Sequence, residues 1–168
     1  MPISGPKGHL NPEDMLEILD GRQSEAAAAI QRGACRLLRA LGHSVVTELP
    51  LASGHRADIM ALGRNGEIWI VEIKSCLADF RSDAKWHFYR EWCDRLFFAV
   101  DPEFPQDILP DDAGFLLADR YGAEVIREAP EHRLAGGRRK AVTLRFARAA
   151  AARLHGFLDP GPGNLPED

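Results

Sequence analysis

Apolar residues recur along this chain with two periods, and the switches between them predict its elements. In "SEAAAAIQRGACRLLRALG", Ala27, Ile30, Ala34, Leu37, Leu38 and Leu41 recur at three- and four-residue steps, which predicts an amphipathic helix. Ser24 is its expected cap and Gly42 its stop. A shorter helix is expected before Gly21, at "NPEDMLEIL", with Asn11 as cap, Pro12 in the first turn, and Glu13 and Asp14 at the positive end of the dipole. The period then falls to two. "HSVVTELPL" reads as a strand, and two more follow over Arg56–Leu62 and Glu67–Ser75.

"SDAKWHFYREWCD" predicts a helix of about three turns capped by Ser82. "RLFFAV" is wholly apolar, as a strand buried on both faces would be, and a crossover helix before it favours parallel pairing with an earlier strand. After the proline-rich "DPEFPQDILPDDA", "GFLLAD" and "EVIREA" form a second hairpin, and a helix from Lys140 to Leu158 closes the chain. The order α-β-β-β-α-β, then a hairpin and a helix, predicts an α/β fold with a mixed sheet between helices. We read residues 1–168 as one domain, long enough for a real core, with flexible ends at 1–10 and 159–168.

Three charges interrupt the apolar strands: Asp58 in one, Glu72 and Lys74 in the next. Residues two apart share a face, so Glu72 and Lys74 point the same way as Ile68 and Ile70. The turn decides whether Asp58 joins them. A two-residue Asn65-Gly66 loop would put Asp58 opposite Ile73, on the other face. A three-residue loop, Arg64-Asn65-Gly66, with Gly66 in the left-handed bulge position, pairs 63 with 67 and sets Asp58 opposite Glu72. "GRNGE" favours the second, with β-carbons roughly 5 Å apart. One residue of register therefore decides whether there is a site.

Two carboxylates on an apolar strand pair repel each other and are costly to desolvate. A divalent cation resolves both problems, and oxygen ligands of this kind suit Mg²⁺ or Mn²⁺. Lys74, beside them, balances charge and can position a water or contact a phosphate. That set is suited to phosphodiester hydrolysis. Taken alone, though, E-x-K is common by chance and often a solvated strand end.

Composition changes this picture only locally. The net charge of −4 and pI near 5.9 argue against a protein that coats nucleic acid nonspecifically. Yet His132–Leu158 carries seven Arg or Lys residues and no acid. Arg138, Arg139, Lys140, Arg145 and Arg148 are thus the candidate phosphate contacts, set against the plainer reading of a solvated helix face. Cys35, Cys76 and Cys93 lie apart without a CxxC pair, which suits reduced thiols in the cytoplasm. No apolar run approaches the roughly 20 residues of a membrane span, and no signal peptide is expected.

Asp58 and Glu72-Ile73-Lys74, across a hairpin in this element order, resemble the PD-(D/E)XK nuclease-like (restriction-endonuclease-like) superfamily. "RGACRLL", "TELPLASGHRADIMAL", "GEIWIVEIKS", "DFRSDAKWHFY", "CDRLFFAV" and "RRKAVTLRFARAAA" are similar to the MmcB-like bacterial DNA-repair proteins, over roughly Glu25 to Ala151. The resemblance implies Asp58 and Glu72 as metal ligands, Lys74 as the catalytic lysine, and DNA as substrate. Ala57 stands where the superfamily's name has proline. Lys85 and Tyr89, one turn apart, match positions that often face the site; the alternative is a core Tyr89 and a solvated Lys85. Glu25 and Glu48 are further candidate acids, though Glu25 reads first as an ordinary first-turn acid and Glu48 is as ambiguous, whereas Asp79 and Asp83 read as helix-start residues. Trp69, Trp86 and Trp92 read as core.

The leading expectation is a Mg²⁺- or Mn²⁺-dependent DNA nuclease of bacterial repair. The alternative is a noncatalytic DNA-binding or adaptor protein that keeps the fold. Other repair proteins and a second copy of the chain are the further partners to consider, and apolar positions such as Phe97 and Leu116 do not reveal whether an interface exists.

Overall fold

The computed structural model describes residues 12–83 and 85–160, with side chains from Glu25 onward. The elements are α1 (Pro12–Ala40), β1 (Ser44–Pro50), β2 (Arg56–Leu62), β3 (Ile68–Lys74), α2 (Leu77–Ser82), α3 (Trp86–Tyr89), β4 (Arg95–Val100), β5 (Gly114–Ala118), β6 (Ala123–Arg127) and α4 (Gly136–Leu158). The strands form a single six-stranded mixed sheet in sequence order. β1, β2 and β3 pair antiparallel, β3–β4 and β4–β5 pair parallel, and β5–β6 closes as an antiparallel hairpin.

Two apolar layers hold this sheet. On one face α1 lays Ile30, Ala34 and Leu38 over Ile59, Val71, Phe97 and Leu116. Phe97 and Leu116 are fully buried there and so belong to the core. On the other face Trp86 and Tyr89 of α3 and Val142 and Phe146 of α4 cover Met60, Ile68, Ile70 and Phe98. Trp69 and Trp86 are buried and Trp92 is half-buried, as expected of core residues. β3 is buried along its whole length, so each charge it carries is set into a dry environment.

Gly33 lets α1 lie close to the sheet's far edge. A β-carbon there would come within 2.1 Å of the Asp119 carbonyl oxygen and 2.3 Å of that of Gly122, in the β5–β6 turn.

The chain departs from its pattern in three places. α1 runs through Gly21 as one helix of 29 residues, because an interior glycine costs a helix only about 1 kcal/mol and no proline stops it. Asn11 and the Ser24 side chain, both expected caps, lie outside the described residues and side chains, as do 1–10 and most of 159–168. The helix of about three turns expected over 82–94 with Ser82 as cap is shorter: α3 covers only Trp86–Tyr89 and is followed by a 3₁₀ turn at Arg90–Trp92, while Ser82 instead ends a separate helix, α2, that the pattern did not predict. Asp83 makes the break. Its backbone is extended and its Oδ1 accepts the Lys85 N–H at 2.7 Å, a local bond that competes with helix continuation. Finally, α4 starts at Gly136, four residues before Lys140, because its first turn is fastened to the sheet through Arg139.

Candidate active site

The β2–β3 turn is the three-residue loop. Gly63 N–H donates to the Glu67 carbonyl at 2.8 Å, Gly66 has φ +81°, and Leu62 pairs with Ile68. Carried along the ladder, that register sets Asp58 opposite Glu72. The two side chains then lock the strands together. Asp58 Oδ2 accepts the Ile73 N–H at 2.8 Å, and Glu72 Oε1 accepts the Asp58 N–H at 3.2 Å. Each carboxylate thus reaches across to the other's strand with one oxygen fixed by backbone.

Both acids are held against their ordinary chemistry. Burial, reinforced by the charge of Asp58, raises the pKa of Glu72 well above the usual carboxylate value; Glu72 is 4% exposed. Burial likewise raises Asp58, with Glu48 adding to the effect and the Ile73 N–H opposing it. These shifts are the physical trace of acids held partly or wholly out of water and close to other acids.

Lys74 is 5% exposed on the same face. Burial alone would depress its pKa, but Asp83, with Nζ to Oδ2 at 2.5 Å, outweighs it and the pKa rises. The reciprocal effect lowers Asp83, whose own burial pulls the other way. Lys74 is therefore a fixed ammonium and a hydrogen-bond donor, not a base. Asp83, read from the sequence as a helix-start residue, both breaks the helix and holds this lysine. Its place beside Ser82, at the start of the expected helix, hid that role.

Glu48 lies in the same row. Thr47 pairs with Ile59 and Leu49 with Ala57, so Glu48 falls opposite Asp58 and continues the line toward Glu72. It has φ +50°, a left-handed conformation unusual for glutamate, and its Oε2 lies 2.6 Å from Arg56 Nε without the alignment of a hydrogen bond. Tyr89 is buried and donates from its hydroxyl to the Arg56 carbonyl at 2.8 Å. Burial and then the charge of Glu72 raise its pKa, so it remains a neutral phenol beside the acids. Both sequence readings of Tyr89 hold at once, since it packs in the core and borders the site. Lys85 is exposed at the rim.

Asp58, Glu72, Lys74, Glu48, Lys85 and Tyr89 all line one open cavity of about 810 Å³. Glu25 is exposed on α1 and does not line it; α1 contributes Ala27, Ala28 and Gln31 instead. Among the described residues no group of three or more His, Cys, Asp or Glu side chains is arranged to hold a metal ion.

The basic helix is less free than its composition suggests. Arg139 makes a two-armed contact with Asp94, 2.7 Å on each arm, and a third bond to the Gly66 carbonyl. Arg138 lies over the Trp92 ring at 4.2 Å, and Arg145 donates to the Pro50 carbonyl at 3.2 Å. Arg153, not singled out in the sequence, donates to the Thr47 and Glu48 carbonyls. Lys140 and Arg148 are exposed. Among the described residues no helix is long and apolar enough to cross a membrane.

Fold and site together define a mixed α/β protein with an acid–acid–lysine cluster at the end of its central strands. The chain belongs to the MmcB-like family: the model for "DNA repair protein MmcB-like" matches residues 15–161. It is also similar to a solved structure, the SPO1766 protein of unknown function from Silicibacter pomeroyi. The two are 49% identical with a TM-score of 0.79, over 84% of this chain and 97% of that one. No curated protein matches.

Proposed function

We propose that this protein is a Mg²⁺- or Mn²⁺-dependent DNA nuclease of bacterial DNA repair, a member of the PD-(D/E)XK superfamily. The observation that carries this reading is the reciprocal Asp58–Glu72 lock with Lys74 buried beside it. Burial raises both carboxylates, with Asp58 adding to the shift of Glu72 and Glu48 to that of Asp58, and a cation between them would remove that cost. Asp58 and Glu72 fit as ligands because each has one oxygen fixed by a backbone N–H and the pair shares one face of the sheet. Among the described residues no third His, Cys, Asp or Glu side chain is arranged with them to hold an ion, although Glu48 and Asp79 line the same cavity, so the rest of the ion's shell would fall to backbone, water or substrate.

The bound ion would supply charge stabilisation at the scissile phosphate. Lys74, kept charged by Asp83, donates to a phosphate oxygen or orients the attacking water. Tyr89, neutral and tied to the Arg56 carbonyl, fixes the wall next to Glu72. The exposed cations Lys140 and Arg148 are free to meet the DNA backbone, with Arg138 and Arg145 nearer their protein contacts.

A noncatalytic DNA-binding adaptor is the second reading, and one observation favours it. Lys74 already has a close partner in Asp83, so a substrate must compete for it. Cleavage of single-stranded, duplex, flapped and junction DNAs with Mn²⁺, by wild type and by Lys74→Ala, separates the two. Cutting that vanishes in the variant supports the nuclease. Equal background from both proteins, while Mn²⁺ raises the wild-type Tm and not that of Asp58→Ala, turns the decision to the adaptor.

A further inference from the structure

The cavity has a feature that hydrolysis by the acids and lysine does not require. His55, one of its lining residues, follows a tight turn in which Gly54 has φ +86° and the Leu51 N–H donates to the His55 carbonyl at 2.8 Å. Its ring is steadied by a 3.2 Å contact between Nδ1 and the Ser53 hydroxyl. The ring stacks on Phe88, with centroids 5.1 Å apart and planes 12° from parallel, and meets Tyr89 edge-on at 6.2 Å. Phe88 is 53% exposed, although α3 turns its neighbours Trp86 and Tyr89 into the core. The aromatic layer therefore begins inside the cavity and continues out to solvent, near Lys85, which immediately precedes the same short helix.

An exposed phenylalanine alone is unremarkable. Here it is held in a parallel stack by a ring that belongs to the candidate site. The chemistry around it narrows the ligand. The cavity sets four acids, Glu48, Asp58, Glu72 and Asp79, against Arg56, Lys74 and Lys85, so without a cation it holds a phosphate chain weakly and a strand entering it gains from attraction that does not depend on phosphate. Ring stacking supplies that, and it works for any base because every base has a π-face. A duplex keeps its base faces covered by their neighbours; an unpaired base offers one.

We propose that His55 and Phe88 form a base-stacking platform, and that the site takes DNA with unpaired nucleotides: single strands, flaps or gaps. This rests on the nuclease reading for what happens to the strand, but not for its binding. Lys85 at the rim would meet the adjacent phosphate, and selectivity would come from strand state, not sequence.

The test is fluorescence anisotropy without divalent cation, so that no cleavage intervenes. The probes are a labelled single-stranded oligonucleotide, its duplex, and the same strand with its central bases replaced by abasic residues. Wild type should favour the intact single strand over both others. Phe88→Ala should weaken single-strand binding on the order of tenfold and bring it level with the abasic strand, while Phe88→Trp retains the preference. Because Phe88 is half exposed, an unchanged Tm in Phe88→Ala would establish that the fold survives. Equal wild-type affinity for intact and abasic strands, or no loss in Phe88→Ala, would overturn the platform, and so would an absence of DNA binding. The outcomes also part from those of the nuclease: base-dependent binding without Mn²⁺-driven cleavage keeps the platform and removes the nuclease. Cleavage of duplex at equal rates by wild type and Phe88→Ala does the reverse.

Discussion

One sheet carries buried carboxylates at both ends of β3, and the two ends treat them in opposite ways. At the first, Asp94 is 1% exposed and fully answered. It accepts the Ile68 and Leu134 N–H groups, each at 2.8 Å, and both arms of Arg139. Burial alone would raise its pKa, but the guanidinium and the two N–H donors outweigh it, and Asp94 falls below the usual value. At the other end Glu72 is nearly as buried and has Asp58 for a neighbour, with Lys74 given over mainly to Asp83. Its pKa is driven up. Satisfied acids hold a structure together, and frustrated ones mark where something is meant to bind. The same functional group, a carboxylate at similar exposure, separates architecture from chemistry by its partners.

Removing the satisfied acid should have the largest effect. Asp94→Ala leaves Arg139 and two backbone donors without their acceptor and should cost about 3–4 kcal/mol in urea unfolding. A loss below about 1 kcal/mol would mean that water replaces Asp94 freely and that the contrast between the ends is overstated. Asp83→Asn comes next. It keeps an acceptor for the Lys85 N–H but strips the charge from the Lys74 pair, whose members are only 6% and 12% exposed. We expect a loss of about 2 kcal/mol. A variant as stable as wild type would show that Glu72 can take over the lysine.

Glu72→Gln should move the other way and stabilise the apo protein by about 1 kcal/mol, while abolishing the Mn²⁺-dependent rise in Tm. The same asymmetry should appear in pH. A raised carboxylate has its penalty absent below the unfolded value and complete above the folded one, so stability falls as pH rises from about 3.8 for Asp58 and from about 4.5 for Glu72. A depressed carboxylate gives stability that is present above the unfolded value and lost as pH falls through the folded one, so Asp94 acts only below about 3.8. Denaturation curves across pH 3–8 should therefore flatten at the upper limb in Glu72→Gln and at the acid limb in Asp94→Asn. An upper limb unchanged in Glu72→Gln would refute the frustrated pair.

The half of this contrast that concerns chemistry was legible in the sequence. Period-two parity put Glu72 and Lys74 on one face, and Gly66 in "GRNG" chose the register that brought Asp58 to them. The other half was not. Asp94 stands just before an apolar strand and draws its partners from 26 to 45 residues away, a distance over which no local pattern carries information. Glu48 stayed ambiguous because the turn after it does not fix the register, and its left-handed backbone also interrupts the parity of β1. Asp83 was hidden because an acid beside Ser82 reads as an ordinary first-turn residue, whereas its partner Lys74 lies nine residues back on β3. The basic stretch of α4 was visible as composition, but which of its cations are already engaged depends on the tertiary contacts of Arg139, Arg145 and Arg153.

Asp94 also bears on time. It joins the start of β3, the segment after β6 and the first turn of α4, so its bonds can close only after long stretches of chain have been brought together. Such contacts form late, after the β1–β2–β3 meander has set its local pairings. The cluster at Asp94 is then a clasp fastened last and released first: weakening it should leave the folding rate nearly untouched and let the native protein come apart faster.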